Sequence, residues 1–413
     1  MARLYFPVQL GRILGGFFLL LLALSPRAFA EENQKPRLDY VPLEAAEYAP
    51  PPPSKETPPP PGKEDEVRVS YKVGQGLAVK SADEKFVMRF SLRMQPRYQY
   101  IWTEGPNRPN INTFSLTRLR SVISGNVINK DMKYFFQTEF YPAVVLRDGF
   151  IDYRVVDEFQ VMLGQSFVPF CRELLSSTVK TEFISSSEAL IHFCPIRDIG
   201  LNFHGDVTKW LTYDAFVMNG EGINNLNSNK DFFFGTRLTA HVLGKRLPYQ
   251  EGDLDYSKSP RLAAGLGVMY DTGSGKEITL GQDNRIARAT ADIAFAYYGF
   301  YFQGATYYIR NATLKKNDLG FTGQTGYFLI PKKLEMAGRF STVIPGRTGS
   351  AFPMTGRTKG STIPLYEVAG GLSYFPFGSN EFKLQADYTA LYNVDGVRNR
   401  NDNRLQFQVQ VFF

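Results

Sequence analysis

The chain has 413 residues and a formal net charge of +7, with 36 glycines, 34 phenylalanines and 23 tyrosines but only 2 cysteines and 3 histidines. So few cysteines and such scattered histidines exclude a zinc-type metal site, and no run of roughly eighteen apolar residues follows residue 30, which excludes spanning helices. Glycine and aromatic residues in this proportion are typical of many aromatic-flanked strands joined by turns.

Residues 1–30 have the pattern of a secretory signal peptide. Arg3 and Arg12 flank the start of an apolar run from Ile13 to Leu24, and Ala28-Phe29-Ala30 forms an A-x-A cleavage site. We expect cleavage before Glu31. A membrane anchor is the alternative, but the apolar run is shorter than the ~20 residues that a spanning helix needs. No cysteine follows the cleavage site, so a lipoprotein is not expected.

Residues 31–66 are acidic and proline-rich, with nine acids against four basic residues and proline runs at Pro50–Pro53 and Pro58–Pro61. Such a segment has no core to bury, so we expect a disordered periplasmic tail. The alternative is a tether that contacts peptidoglycan or a partner protein. Residues 67–413 carry 40 cations and 31 anions, a net charge of +9. A cationic body favours anions as the permeating species if this part of the chain forms a channel.

From Val67 onward, segments alternate apolar and polar side chains with a period of two, which predicts strands. In the last segment, Leu405 and Phe407 share one phase while Gln406 and Gln408 share the other. A terminal strand that is apolar on one face and polar on the other is typical of an outer-membrane barrel. At ~20 residues per strand and turn, residues 67–413 hold about sixteen strands. We therefore predict an all-β fold, a transmembrane antiparallel β-barrel.

Several basic side chains fall on the polar phase of these strands and are candidates for the lumen wall. Arginine on the lipid face costs ~2–4 kcal/mol at the midplane, so these residues are expected to point inward. A series of guanidinium groups offers an oxyanion successive weak sites, as conduction requires. The alternative is that each pairs with a lumen carboxylate such as Glu139, Glu335 or Asp387. The predicted anion-binding residues are Arg89, Arg93, Arg97, Arg118, Arg120 and Lys133.

A long stretch from Cys171 to Pro195 is expected to be a polar loop that folds into the barrel and constricts it. Arg172, Lys180 and Arg197 are its predicted cations. Cys171 and Cys194 bracket the stretch, and in an exported protein a disulfide between them is predicted, worth ~3 kcal/mol. Two unpaired buried thiols are the alternative.

Three motifs carry a resemblance to a known family. They are L-G-Q-S-F-V-P-F from Leu163 to Phe170, P-I-R-D-I-G-L from Pro195 to Leu201, and G-Y-F-L-I-P-K-K-L-E from Gly326 to Glu335. Over residues 70–413 the chain resembles the phosphate-selective porin O and P family. The resemblance implies a sixteen-stranded, usually trimeric outer-membrane barrel with a pore-narrowing loop and anion-binding Arg and Lys side chains. In that family the strand at Thr117 begins with adjacent arginines near the constriction, and Arg118 matches one of them.

The sequence does not favour an enzyme. It has no G-x-S-x-G motif, and Gly273–Glu277 lacks the upstream glycine and the Ser or Thr of a phosphate-binding loop, so it is interpreted as a turn. A barrel phospholipase stays open, because a triad need not follow a fixed order in sequence. The leading hypothesis is passive diffusion of phosphate or similar oxyanions across the bacterial outer membrane. A weakly selective general porin and an envelope tether are the alternatives; no cofactor and no nucleic-acid partner are expected.

Overall fold

The computed structural model describes residues 67–105, 107–273, 285–352 and 357–413. The predicted signal peptide and the predicted tail lie outside these residues. Within them, no helix is both long and apolar enough to cross a membrane. The strands are β1 (Val67–Lys72), β2 (Gly76–Ser81), β3 (Val87–Thr103), β4 (Ile111–Asn126), β5 (Met132–Glu139), β6 (Val145–Val156), β7 (Phe159–Phe167), β8 (Arg197–Thr208), β9 (Leu211–Met218), β10 (Phe233–Leu243), β11 (Arg261–Asp271), β12 (Ile286–Tyr297), β13 (Phe300–Asn311), β14 (Lys316–Ile330), β15 (Leu334–Pro345), β16 (Leu365–Tyr374), β17 (Phe382–Tyr392) and β18 (Asn401–Phe412).

Strands β3 to β18 form a closed barrel. Each pairs antiparallel with the next along the chain, and β18 pairs back onto β3 from Asp402 opposite Thr103 to Phe412 opposite Arg93. Closure leaves no free sheet edge along this part of the wall, as a strand-built membrane protein requires. The prediction of an antiparallel barrel with about sixteen strands is confirmed for the described part of the chain.

The first two strands form a hairpin beside the barrel. β1 pairs with β2, and β2 pairs with the start of β3, from Leu77 opposite Phe90 to Lys80 opposite Val87. On the same edge of β3, β18 pairs only as far as Arg93. β2 and β18 therefore occupy successive parts of one edge of this long strand.

The two faces of the wall differ in polarity because successive side chains on a strand point to opposite sides. Exposed side chains on the outer face include Leu266, Phe340, Val368 and Phe407, among many other apolar residues. The inner face carries buried polar side chains, among them Arg237, Gln303, Gln324, Glu367 and Gln385. This is the arrangement predicted from the period of two, with the apolar face toward lipid.

The connections at the two rims differ in length. One rim has turns as short as 157–158, 209–210 and 298–299, but also the 17-residue connection 244–260, which we call the β10–β11 loop. The other rim carries longer connections, including the 29-residue segment 168–196, which we call the β7–β8 loop. That loop contains two short helices, α1 (Arg172–Leu175) and α2 (Glu188–Phe193).

The β7–β8 loop packs against the wall through apolar side chains, which the prediction of a polar stretch did not include. Phe170, Leu175 and Phe193 are at most 1% exposed and belong to one cluster with inward-facing residues of the wall. Those wall residues lie near the strand ends at the long-loop rim. Their side chains point into the barrel, where polar side chains were expected, but they are apolar. They include Phe216, Met218, Ile286, Tyr307, Ile309, Val343 and Leu365. Burial of this apolar surface holds the loop against one side of the barrel.

Candidate functional site

The main chain of the β7–β8 loop donates hydrogen bonds to acids on the inner face of the wall. The backbone N–H of Arg172 donates to Asp292 Oδ2 at 3.1 Å, that of Ile184 to Asp387 Oδ2 at 2.8 Å, and that of Glu188 to Glu367 Oε2 at 2.7 Å. Hydrogen bonds to buried carboxylates are stronger than neutral ones. These lumen acids therefore anchor the loop.

The β10–β11 loop contacts the β7–β8 loop. Glu251 Oε2 accepts from the backbone N–H of Glu182 at 2.9 Å and from Gln324 Nε2 at 2.8 Å, and its Oε1 accepts from Gln303 Nε2 at 3.0 Å. The backbone N–H of Glu251 donates to the carbonyl oxygen of Lys180 at 2.8 Å. Glu251 thus links the β10–β11 loop, which starts from one rim of the barrel, to the β7–β8 loop, which starts from the other.

Between the β7–β8 loop and the barrel wall lies a cavity of about 190 Å³, which we call the arginine cavity. The loop contributes hydroxyl groups, including those of Ser176, Thr178 and Ser185, and Glu251 of the β10–β11 loop also lines the space. Apolar side chains complete the lining, namely Phe167, Leu174, Phe183, Ile184, Leu190 and Ile196. Its arginines come from β4, β6, β8 and β15 and are Arg118, Arg120, Arg147, Arg197 and Arg339.

Three of these arginines contact a carboxylate of the wall. Arg120 Nε donates to Glu139 Oε2 at 2.5 Å, and Arg197 lies 3.0 Å from each carboxylate oxygen of Asp148. Arg339 Nε donates to Glu367 Oε1 at 2.9 Å. Arg120 therefore pairs with Glu139, as in the alternative in which each lumen cation pairs with a carboxylate.

The other two arginines have different surroundings. Arg118 Nη1 donates to the neutral side chain of Gln95 at 2.7 Å. Arg147 Nε lies 4.0 Å from Glu139 Oε2, an oxygen that already accepts from Arg120, and has no hydrogen-bond partner among the described residues. Arg147 exposes 35% of its side chain, against 6% or less for Arg120, Arg197 and Arg339. Arg118 and Arg147 thus place two guanidinium groups on the side of the cavity formed by β4 and β6.

Two register shifts shape this part of the wall. Between β3 and β4, Gln95 lies opposite Arg118 and Pro96 opposite Leu116, so Thr117 has no opposing residue. Between β5 and β6, Gln137 lies opposite Asp148 and Thr138 opposite Leu146, so Arg147 is skipped in the same way. An extra residue of this kind, as in a β-bulge, redirects side chains and is frequent beside functional sites.

Of the six cations predicted on the strands, Arg118 and Arg120 line the cavity. Arg93 is 3% exposed and stacks 5.0 Å from the ring centre of Phe412. Arg97 donates to Gln408 Oε1 and to the carbonyl oxygen of Ile184, so it contacts the β7–β8 loop from outside the cavity. The remaining two lie toward the short-turn rim, Arg89 opposite Ser124 and Lys133 opposite Asp152.

Of the three cations predicted for the constriction loop, Arg197 belongs instead to the wall, as the first residue of β8. Arg172 donates to the carbonyl oxygen of Pro248 and stacks 5.2 Å from the Tyr249 ring, so its side chain contacts the β10–β11 loop rather than the cavity. Lys180 is part of the β7–β8 loop and is half-buried.

Cys171 and Cys194 are both buried at the base of the β7–β8 loop as free cysteines, with their Sγ atoms 2.8 Å apart. The disulfide stays a prediction. Titration of thiols in the unfolded, unreduced protein checks it: no free thiol is expected, and two would support the alternative. Among the described residues, no cluster of three or more histidine, cysteine or acidic side chains is arranged to hold a metal ion.

Glu173, on helix α1, also lines the cavity and is 9% exposed. Burial raises the pKa of Glu173 to about 7, against the opposing effect of Arg339. Its carboxylate accepts from the backbone N–H and hydroxyl of Ser187, each at 2.8 Å. The surroundings therefore favour the protonated form of Glu173.

Sequence reasoning missed Arg147, Arg339 and Glu173. Arg339 lies on the opposite phase from the apolar residues Met336 and Phe340. The period of two alone could therefore have predicted that its side chain faces the lumen. Arg147 follows Leu146 and precedes Asp148, and a strict period places it on the same side as Ile151, which is 49% exposed on the outer face. No signal in a single sequence marks the register shift that removes Arg147 from that face.

The family model for phosphate-selective porin O and P matches residues 90–413, which covers β4 to β18, most of β3 and every residue of the arginine cavity. The chain belongs to this family. It is an outer-membrane porin, a passive diffusion channel of the Gram-negative outer membrane, and the resemblance noted in the sequence is confirmed.

Solved structures similar to this porin are also outer-membrane channels and porins. The channel DcaP of Acinetobacter baumannii is 10% identical, with 79% of this chain and 97% of that chain covered and a TM-score of 0.55. OmpT of Vibrio cholerae in its trimer form is 9% identical, with coverage of 79% and 99% and a TM-score of 0.52. OmpF of Salmonella typhi is 11% identical, with coverage of 78% and 97% and a TM-score of 0.53. No match was found among curated proteins. At these identities the likeness shows the fold alone.

Proposed function

We propose that this porin conducts small anions in preference to cations, with phosphate or similar oxyanions as the favoured solutes. The observation that carries the proposal is the arginine cavity, whose lining has five arginines against two acids, Glu173 and Glu251. Guanidinium groups bind oxyanions through paired N–H donors. A cation that enters the same space meets like charge, which raises its free energy.

The distribution of acids supports the same proposal. Asp387 and Glu367 accept hydrogen bonds from the main chain of the β7–β8 loop, and Asp292 accepts from both that loop and Arg237. These acids, on β12, β16 and β17, hold the loop and lie on strands other than β4 and β6, which carry Arg118 and Arg147. Within the described ranges, the negative charge of the lumen is largely used for structure, and the net charge of +9 in residues 67–413 favours anions in the pore.

We further propose that the β7–β8 loop narrows the passage. It crosses from the end of β7 to acids on β12, β16 and β17, so solutes pass between the loop and β4 to β8. Successive weak contacts in such a constriction select solutes without trapping them.

A weakly selective general porin is the second candidate. The contacts of Arg120, Arg197 and Arg339 with carboxylates favour it, because paired charges attract passing ions less. The two candidates differ in ion preference, not in the existence of a channel, and neither requires an enzyme activity.

The assembly is proposed to be a homotrimer in outer-membrane lipid. Family membership supports it, and the similar OmpT structure of Vibrio cholerae is described in a trimer form. Cross-linking of the purified porin in detergent tests it, and a monomer at all concentrations would contradict it.

The proposed function is tested by recording single channels of the refolded porin in planar bilayers under a KCl gradient. We expect a reversal potential that shows chloride to be more permeant than potassium, and a chloride current that phosphate reduces. A reversal potential near zero would favour the general porin, and the absence of channels would contradict both.

A further inference from the structure

The arginine cavity holds a cation that the sequence motifs do not single out. Arg147 Nε lacks a hydrogen-bond partner among the described residues, and Glu139, the nearest acid, also accepts from Arg120 Nε and from the backbone N–H of Leu119. A guanidinium group whose N–H lies buried without an acceptor gains free energy when an anion supplies one. Arg147 is therefore placed to bind a solute directly.

The rest of the lining limits which anions suit the cavity. Arg197 lies 3.7 Å from the ring centre of Phe167, and Arg339 lies 4.5 Å from that of Phe183. Leu174, Leu190 and the other apolar side chains continue this surface. Inorganic phosphate can contact the guanidinium groups but gains nothing from this apolar surface, so its contacts in the cavity stay weak, as conduction requires.

A small organic anion combines one charged group with an apolar body. The lining of the cavity likewise combines charged groups with an apolar surface. Ligand sites in proteins typically combine an apolar wall with a few placed polar groups. Resting on the proposed function, we infer that the arginine cavity is a binding site for small organic monoanions that carry an apolar group, such as aromatic carboxylates, with Arg147 as the recognition residue. The carboxylate contacts Arg147 beside Arg118, and the hydrocarbon body packs on Phe167, Phe183 and their apolar neighbours.

The register shift at Arg147 fits this role. With a strict alternation, Arg147 would face lipid, where a cation is destabilising. The skipped position instead directs the side chain into the cavity, while Leu146 stays 41% exposed. The local distortion of β6 thus places a cation in the cavity without loss of the apolar outer face.

The test measures how sodium benzoate and sodium phosphate reduce the chloride current of single channels formed by the full porin. We expect benzoate to reach half-block at a concentration about tenfold below that of phosphate. In Arg147→Gln, the half-blocking benzoate concentration should rise about tenfold, and in Arg147→Lys it should rise less.

Arg154→Gln is the matched control, because Arg154 lies on the same strand at the short-turn rim and contacts Asp131 and Asp157 outside the cavity. Benzoate block in this variant should equal that of the unchanged porin. Stronger block by phosphate, equal block in Arg147→Gln, or equal loss in both variants would overturn the inference. Chloride preference without benzoate block would overturn this inference alone, while loss of chloride preference in the unchanged porin would overturn the proposed function.

Discussion

At the scale of single residues, the charged groups of the lumen differ in what they contact. Acids on β12, β16 and β17 accept hydrogen bonds from the β7–β8 loop, whereas Arg118 and Arg147 face the cavity from β4 and β6. None of the three arginines predicted along β3 lines the arginine cavity, and Arg93 instead stacks on Phe412. A buried charged side chain on the inner face is therefore not necessarily in contact with the space through which solute passes.

The first prediction concerns Arg118→Glu. Replacement of a cation by an anion at the cavity changes the local charge by two, so attraction of anions becomes attraction of cations. We expect the reversal potential in a KCl gradient to shift toward that of potassium, with no change in strand content. Arg154→Glu, at the rim of the barrel, serves as the control and should shift the potential far less. An Arg118→Glu channel with the original ion preference would remove this residue from the site.

The second prediction concerns pH and Glu173. Because burial raises its pKa to about 7, Glu173 is mostly protonated at pH 6 and ionised at pH 8. The added negative charge should lower the anion preference as pH rises through this window. The native state binds more protons than the unfolded state between pH 4.5 and 7, so the contribution of Glu173 to stability also falls as pH rises.

Reversal potentials and thermal unfolding midpoints from pH 5.5 to 8.5 test this prediction in the porin and in Glu173→Gln. The variant should keep a nearly constant ion preference across the range. An equal pH dependence in the two proteins would assign the effect to another group.

At the scale of elements, the strands were predictable and the path of the loops was not. Alternation in 86–97, 132–140, 383–390 and 404–413 corresponds to β3, β5, β17 and β18, because lipid and water select opposite faces of each strand. The same rule gives no account of Ile309 and Val343, which face inward but pack on the β7–β8 loop. Their environment depends on a segment more than a hundred residues away in sequence.

The third prediction concerns the junction of the two loops at Glu251. Glu251→Ala removes the acceptor of the Glu182 N–H and of two glutamine amides, and each unsatisfied buried donor costs about 1–3 kcal/mol. We expect a lower unfolding temperature and larger fluctuations of the open-channel current, because the β7–β8 loop loses a contact.

Glu84→Ala is the control for this experiment, since Glu84 lies in an exposed turn outside the barrel wall. Its unfolding temperature and current noise should stay near those of the unchanged porin. A quiet Glu251→Ala channel of normal stability would show that the β10–β11 loop does not hold the β7–β8 loop in place.

At the scale of the whole molecule, ion preference can arise from the overall field or from contacts inside the cavity. The field of residues 67–413, with a net charge of +9, is screened by salt, with a Debye length of ~10 Å at 0.1 M and ~3 Å at 1 M. Contacts between an anion and the guanidinium of Arg118 act over shorter distances and are screened less.

The fourth prediction separates these sources by measuring the chloride-to-potassium permeability ratio at 0.1 M and 1 M KCl. We expect the ratio to fall with salt but to remain above one, because the field is lost while the cavity contacts persist. Arg118→Lys keeps the charge but loses the paired N–H donors, so it should resemble the unchanged porin at 0.1 M and fall below it at 1 M. A ratio of one at 1 M KCl in the unchanged porin would mean that the field alone selects anions, and that the arginine cavity adds nothing specific to conduction.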